Sequence, residues 1–180
     1  MTPDLQPILQ DSTVRLRPLK SNDYNDLLEV ASDPQIWAGH PAHDRWKTPI
    51  FKKFFNAAME SGGAMIVEDI TTGAVIGSTR FDPRHTEPDE IEIGWTFLAC
   101  TYWGSGVNAT IKRLMIRHAL QYYGRVIFRV GAENLISRHA MANIGAMLTN
   151  RATTDELAGK KITHVIFAID HSCFENGPLG

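Results

Sequence analysis

The stretch "TYWGSGVNAT", residues 101–110, places Gly104 and Gly106 directly before a segment with helical periodicity. Two glycines separated by one residue let the backbone come close to a ligand, because no side chain intervenes. The start of a helix also directs several N–H groups outward that have no partner inside the helix. The stretch therefore predicts an anion-binding turn in front of a helix. A glycine-rich turn without a ligand stays as the alternative.

This turn departs from two well-known phosphate-binding motifs. A P-loop requires a lysine followed by serine or threonine after the glycines, whereas this chain has Val107 and Asn108 in that region. A dinucleotide-binding fingerprint requires a third glycine three residues after the second, whereas this chain has Ala109. An anion at this turn would therefore be bound by main-chain N–H groups and by the positive end of the helix dipole.

Length and composition predict one globular domain over residues 1–180, with residues 1–11 and 171–180 as loosely ordered ends. The chain is 43% hydrophobic and 21% charged, which is ordinary for such a domain. A net charge of −2 disfavours nucleic acid as a partner. The sequence shows neither a signal-peptide pattern nor a membrane-spanning stretch, so we expect a cytoplasmic protein without a membrane partner. Cys100 and Cys173 match no metal-ligand spacing.

Hydrophobic periodicity predicts the order strand, two helices, three strands, helix, strand, helix and one or two final strands. The first strand lies in "STVRLRPL" (residues 12–19) and the last in "KKITHVIFAID" (160–170), after a polar loop. In the strand that contains "EIEIGWT" (90–96), simple alternation places Trp95 on the face of Ile91 and Ile93, and Thr96 on the face of Glu92.

Three segments together resemble the GNAT superfamily of acyl-CoA-dependent N-acetyltransferases: the strand "IEIGWTFL" (91–98), the turn "YWGSGVNA" (102–109) and "VGAENLISRHAMANIGA" (130–146). The likeness runs from about Thr13 to Asp170, and the most similar branch acetylates N-terminal amines of ribosomal proteins. It implies an α/β fold with a mixed, mostly antiparallel central sheet. That sheet is splayed between its fourth and fifth strands and is flanked by about four helices.

The resemblance also implies acetyl-CoA as co-substrate, with its pyrophosphate at the glycine turn and its pantetheine arm between the splayed strands. Unpaired strand edges can satisfy the amides of such an arm. Thr101 stands where the family usually has Gln or Arg. The residues that the resemblance assigns to cofactor binding are Trp95, Thr96, Phe97, Leu98, Trp103, Gly104, Ser105, Gly106, Val107, Asn108, Ala109 and Asn134.

Acetyl transfer to an amine requires that the ammonium first lose a proton. Family members often carry a catalytic carboxylate on the strand before the turn, and Glu92 is the matching position. A surface glutamate on a half-exposed strand is the equally open alternative. The family's acidic tyrosine is replaced by Met141, which leaves the hydroxyl of Ser137 as the candidate proton donor.

The loop "WAGHPAHDRW" (37–46) lies between the first two helices, where relatives form part of the acceptor pocket. We expect aromatic side chains to cover the acceptor and the Asp44 carboxylate to attract its cation. No third histidine or cysteine supports a metal site, so we expect no metal. The residues assigned to the acceptor pocket are Trp37, His40, Asp44, Arg45 and Trp46.

These features predict an enzyme that transfers acetyl from acetyl-CoA to a primary amine, by direct attack in a ternary complex. The amine would be a peptide N-terminus or a small molecule. The alternative is a noncatalytic acyl-CoA sensor or interaction module, which the departures at Thr101 and Met141 keep open. The oligomeric state, monomer or homodimer, is left open by the sequence.

Overall fold

A computed structural model describes residues 2–157 and 160–180 of the chain; Met1, in the predicted loose N-terminal end, lies outside them. They form one eight-stranded sheet and five α-helices. The strands are β1 (Leu9–Gln10), β2 (Val14–Pro18), β3 (Ala64–Asp69), β4 (Val75–Asp82), β5 (Glu90–Leu98), β6 (Arg125–Gly131), β7 (Met147–Leu157) and β8 (Lys160–Asp170). The helices are α1 (Tyr24–Ala31), α2 (Thr48–Ser61), α3 (Val107–Ala119), α4 (Leu135–Asn143) and α5 (His171–Glu175).

The sheet has the strand order β1-β2-β3-β4-β5-β6-β8-β7 and is antiparallel except between β5 and β6. That parallel pairing covers three residue pairs and ends at Glu92 opposite Ile127. Beyond it the two strands diverge, so the expected splay is confirmed. The diverging strands are the fifth and sixth of the sheet and not the fourth and fifth. The numbers differ by one because the sheet begins with the short strand β1, which was not predicted.

Helices cover both faces of the sheet. One core cluster joins the sheet to α3 and α4 through Ile111, Met115 and Met141. The other joins it to α1 and α2 through Leu27 and Phe51. The face of the sheet against which α1 and α2 pack also carries Glu92. Within the described residues, no helix combines the length and the apolar character that crossing a bilayer requires.

The structure departs from the sequence prediction at both ends and in one loop. Leu9 pairs with Leu16 in the sheet, while Phe174 of α5 and Leu179, which follows α5, are buried in the core. These apolar side chains anchor segments that composition alone suggested were loose. The predicted polar loop before the last strand is β7, an edge strand with mostly polar side chains, a composition that suits a sheet edge in contact with water.

Candidate active site

A β-bulge in β5 sets which side chains face the opening. Arg80 of β4 pairs with Gly94, but Ser78 pairs with Phe97, so β5 carries one extra residue there. Trp95 has a φ of 51°, a left-handed conformation that is costly for an aromatic residue. Such bulges re-aim side chains next to functional sites.

The bulge makes the predicted alternation wrong beyond Gly94. Trp95 lies beside the guanidinium of Arg80, the cross-strand partner of Gly94 on the Glu92 face. Thr96 instead contacts Lys112 of α3, on the opposite face. The reason is geometric: an inserted residue shifts a period-two pattern by one position.

Glu92 is buried, contrary to the alternative of a surface glutamate. Only 5% of the surface of Glu92 is exposed to solvent. The carboxylate lies over Gly94, where a Cβ would sit 3.3 Å from Glu92 Oε1. Because Gly94 has no side chain, the Glu92 carboxylate can lie directly over it.

Burial raises the pKa of Glu92 to about 7, because the charged form loses its hydration. Arg129 lowers this pKa through its charge, and its Nε lies 3.4 Å from Glu92 Oε2. That Nε has no hydrogen-bond partner among the described residues, so the contact is a loose one. Asp82 adds to the increase. The result is a carboxyl group that exchanges a proton near neutral pH.

Glu90, two residues earlier on the same face, is an equally buried carboxylate with the opposite electrostatics. Burial opposes its ionisation, but Arg151 donates to both of its oxygens, at 2.8 and 3.0 Å, and Arg125 donates to one. These contacts lower the pKa of Glu90 below its usual value. Glu90 is therefore a fixed structural anion, whereas Glu92 can change its charge.

We expect Glu92→Gln and Glu90→Gln to change thermal stability in opposite directions at pH 8. The Glu92 pKa is raised, so its charge penalty is absent below pH 4.5, grows up to about pH 7 and persists above it. Glu92→Gln should therefore stabilise the fold at pH 8 by roughly 3 kcal/mol, seen as a higher Tm, and should change the Tm little at pH 4.5. Glu90→Gln should lower Tm at pH 8, because it disrupts buried ion pairs. Scanning calorimetry at both pH values tests this; equal signs at pH 8 would contradict it.

The glycine turn has the backbone geometry of an anion site. Gly104 and Gly106 have φ values of 70° and 88°, and a Cβ on either would meet nothing within 4 Å. In the described part of the chain, no acceptor binds the N–H groups of Gly104, Gly106, Asn108 or Ala109. The N–H groups of Gly104 and Gly106 precede α3, and those of Asn108 and Ala109 belong to its first turn, so the positive end of the helix dipole adds to their field.

Side chains around the turn hold its shape. Ser105 Oγ donates to the Tyr102 carbonyl at 2.6 Å, and Trp103 Nε1 donates to the Leu98 carbonyl at 3.1 Å. Tyr102 donates its hydroxyl hydrogen to Asp69. Trp103 is 53% exposed, so its ring flanks the turn. The turn is thus preorganised, with its free N–H groups at the surface.

Asn134 and Ser137 lie where α4 begins, next to the end of β6. Asn134 Oδ1 accepts from the Ser137 main-chain N–H at 3.1 Å, so Asn134 is the N-cap of α4. The Ser137 hydroxyl has no hydrogen-bond partner among residues 2–157 and 160–180. Met141 is buried in the core, which leaves no hydroxyl at that position of the helix.

The predicted acceptor residues divide into buried and exposed ones. Trp37 is 2% exposed, and its Nε1 donates to the Ala31 carbonyl at 2.8 Å, so it belongs to the core and not to a pocket rim. The reason is its position at the end of a short 3₁₀ helix that packs on Phe97. Trp46 is partly exposed, beside Lys47.

His40 and Arg45 face inward from the loop. Burial lowers the pKa of His40 to about 4, with a further contribution from Arg45, so this imidazole is neutral at pH 7. The Arg45 guanidinium stacks on Trp37, while Asp44 forms no ion pair in the described part of the chain. A Cβ on Gly131 would lie 3.5 Å from Pro41 of the same loop, so the loop reaches β6 beside the splay.

Sequence reasoning missed two buried cations. Arg80 of β4 is 3% exposed, and Lys112 of α3 is 3% exposed. A single arginine inside the apolar run "AVIGSTRF" (74–81) was a signal for the first. Helical spacing was a signal for the second, since Lys112 shares a face with the buried Met115 and Ile116.

The residues that the structure describes contain no group of three histidine, cysteine, aspartate or glutamate side chains arranged to bind a metal ion.

Residues 13–147 match the family model described as an acetyltransferase (GNAT) domain. No curated protein sequence shows significant similarity to the chain. Among solved structures, a GCN5-related N-acetyltransferase from Brucella melitensis superposes with a TM-score of 0.77 at 19% identity, over 94% of this chain and 81% of that one.

Two further structures come from the branch that the sequence suggested. Mycobacterium smegmatis RimJ, solved with CoA-disulfide, has a TM-score of 0.75 at 17% identity, over 99% of this chain and 94% of its own. A proposed ribosomal-protein-serine acetyltransferase from Vibrio cholerae has a TM-score of 0.72 at 15% identity, over 94% of this chain and 99% of its own. The family model spans most of the chain, and the splayed sheet and glycine turn agree with it. The chain belongs to the GNAT acetyltransferase family.

Proposed function

We propose that this protein transfers an acetyl group from acetyl-CoA to a primary amine, either a peptide N-terminus or a small molecule. The observation that carries the proposal is the buried carboxyl of Glu92, which lies where β5 and β6 diverge and has a pKa near 7. A general base is most effective when its pKa lies near the working pH. Family membership supplies the reaction class.

In this mechanism Glu92 removes the proton that keeps the amine from attacking. An ammonium with a pKa of about 8–10 gives up one proton, directly or through a water, to the Glu92 carboxylate. The amine nitrogen then bonds to the acetyl carbon in a ternary complex, and the carbon–sulfur bond breaks without a covalent enzyme intermediate. The Ser137 hydroxyl is our proposed proton donor to the leaving thiolate, which is also stable enough to leave unprotonated.

The chain offers a matching surface for coenzyme A. The four free N–H groups of the glycine turn suit its pyrophosphate, and the unpaired edge of β5 from Trp95 to Leu98 suits the amides of its pantetheine arm. Asn134, at the far side of the splay, keeps its side-chain NH₂ for the same arm. The similar RimJ fold was solved with CoA-disulfide, which supports this assignment.

Thiol release tests the function directly. We expect acetyl-CoA to raise the Tm of the protein and thiol to be released in the presence of at least one amine from a panel of peptides, polyamines, aminoglycosides and amino acids. Stabilisation by acetyl-CoA without thiol release from any amine would instead support the sensor alternative. Absence of both would overturn coenzyme A binding itself.

Gly106→Ala should weaken coenzyme A binding about tenfold or more, because a Cβ strains the positive-φ backbone that presents the N–H groups to the proposed pyrophosphate. Gly73→Ala is the matched control. Gly73 has a φ of 72° and open space around its Cβ position, but it lies in the β3–β4 hairpin. Both variants should lose similar stability, and calorimetric titration should show weaker binding only for Gly106→Ala. Equal affinities would argue against the turn as the binding site.

A further inference from the structure

Two arginines on the Glu92 side of the sheet have no carboxylate partner. Arg80 is 3% exposed, pairs with Gly94 across the strands and has a buried Nε without a hydrogen-bond acceptor in the described part of the chain. Arg45, half-buried on the loop above, likewise forms no ion pair with any described residue. By contrast, Arg17, Arg84 and Arg151 each contact a carboxylate.

Aromatic rings hold both guanidinium groups in place. The Arg80 Cζ lies 4.4 Å from the centre of the Trp95 ring and 5.9 Å from that of Phe54. The Arg45 Cζ lies 4.6 Å from the same Phe54 ring and 5.1 Å from that of Trp37. Stacking occupies the faces of a guanidinium, whereas its N–H donors lie in the plane and stay available for a planar anion. The two cations therefore share one aromatic platform, because both lie near the ring of Phe54.

The nearby carboxylates do not neutralise this pair. Asp82 is engaged by Arg84, whose Nε and Nη2 lie 2.9 and 2.6 Å from its two oxygens. Glu92 contacts Arg129, and its own burial favours the neutral form. Burial lowers the pKa of both Arg45 and Arg80 to about 10, so both remain charged at pH 7. Two partly dehydrated positive charges beside one another are costly unless an anion joins them.

We propose that the amine acceptor carries a carboxylate, which Arg80 and Arg45 bind while Glu92 faces the amine. This inference rests on the proposed function and specifies its substrate class. It replaces the expectation that Asp44 attracts a cationic acceptor. Arg80 and Glu92 sit on neighbouring strand positions, because Gly94 pairs with Arg80 and Glu92 lies over Gly94. The amine and the carboxylate of the acceptor are therefore separated by only a few bonds.

Two sources fit this chemistry: a free amino acid with its own carboxylate, and a peptide whose N-terminal residue is acidic. The assay compares acids with their neutral amides. L-aspartate and L-glutamate are paired with their diamides, and Asp-Ala-amide is paired with Asn-Ala-amide. We expect each acid to exceed its amide in kcat/KM by roughly 10- to 100-fold, the range of one bidentate, charge-assisted contact. A preference for the acid among the free amino acids would identify a free amino acid as the acceptor, and a preference for the acidic peptide would identify a peptide.

Arg80→Met is the decisive variant. Methionine can still pack on Trp95 and Phe54, and replacing a buried cation by an apolar side chain does not require loss of the fold. The ratio of kcat/KM for the acid to that for its amide, in which effects common to both acceptors cancel, should fall toward one, mainly through a larger KM for the acid. Arg80→Lys should keep part of this ratio. Arg113→Met is the control, because Arg113 lies on α3 and is paired with Asp11. This variant should keep the full preference for the acid.

A second readout separates this inference from the proposed function. Calorimetry with N-acetyl-aspartate should detect binding to the wild type that Arg80→Met weakens at least tenfold. Equal rates for acids and amides, or a preference that survives Arg80→Met, would overturn the anionic acceptor while acetyl transfer stands. If no amine releases thiol, the proposed function fails, and the anion site is then tested by N-acetyl-aspartate binding alone. Absence of binding, or binding that Arg80→Met does not weaken, would overturn the anion site.

Discussion

Glu92→Gln should reduce kcat/KM for acetyl transfer by about 10²- to 10⁴-fold at pH 8, the usual contribution of a positioned general base. Glutamine keeps the size and polarity of the side chain but cannot accept the proton. In the wild type, kcat should rise with pH through an apparent pKa near 7, because Glu92 must be ionised to act. That pKa is set by burial, by the charges of Arg129 and Arg80, and by Asp82 and Asp155. The variant should lack this rise.

The acceptor amine also titrates, so the experiment needs two acceptors whose amine pKa values differ by at least one unit. A rise near pH 7 that both acceptors share belongs to the enzyme, whereas the rise that moves with the acceptor belongs to the amine. Glu87→Gln is the matched control, because Glu87 is an exposed glutamate just before β5. It should change kcat/KM less than about twofold. A Glu92→Gln activity within threefold of wild type, or a shared rise that persists, would refute the base assignment.

The position of Glu92 was predictable from the sequence, but its environment was not. Alternation in "EIEIGWTFL" placed it on the face opposite Ile91 and Ile93, and such a face is often half-exposed. Its burial depends on groups distant in sequence, including Arg129 of β6 and Asp82 of β4. No local pattern encodes these contacts. The raised pKa, which is the strongest argument for a base, is therefore a tertiary property.

The bulge shows the same limit for the backbone. A period-two pattern gives the direction of each side chain only while strand pairing is regular. The extra residue of β5 opposite Thr79 reverses Trp95 and Thr96, and thereby creates both the Trp95–Arg80 stack and the Thr96–Lys112 contact. The glycine turn, by contrast, was predictable because positive φ values and a following helix are local requirements that the sequence states directly.

Lys112 of α3 is a buried lysine on the face of the sheet opposite Glu92. Its Nζ lies 2.6 Å from Thr96 Oγ1 and 5.7 Å from the centre of the Phe128 ring, and no carboxylate pairs with it in the described residues. Burial alone lowers its pKa to about 7. Folding therefore either dehydrates a cation or removes its proton, and both consume free energy.

Lys112→Met should stabilise the fold by about 1–4 kcal/mol at pH 7, since buried charges replaced by apolar side chains of similar size often give this gain. For a chain of this length the Tm should rise by roughly 2–16 °C. Thr96 Oγ1 keeps a partner in Thr79 at 2.8 Å, so the change strands no buried hydroxyl.

The pH dependence identifies the cause of this gain. The folded-state pKa of Lys112 is depressed, so the lysine costs most below pH 7, and the cost shrinks as pH rises toward the unfolded pKa of about 10.5. The advantage of Lys112→Met should therefore be larger at pH 6 than at pH 9.5, as measured by circular dichroism melts. Lys53→Met, at an exposed position of α2, is the control and should shift Tm by less than about 1 °C at either pH. A Tm for Lys112→Met at or below that of the wild type at pH 6 would show that the ammonium is stabilised in a way that burial and Thr96 do not explain.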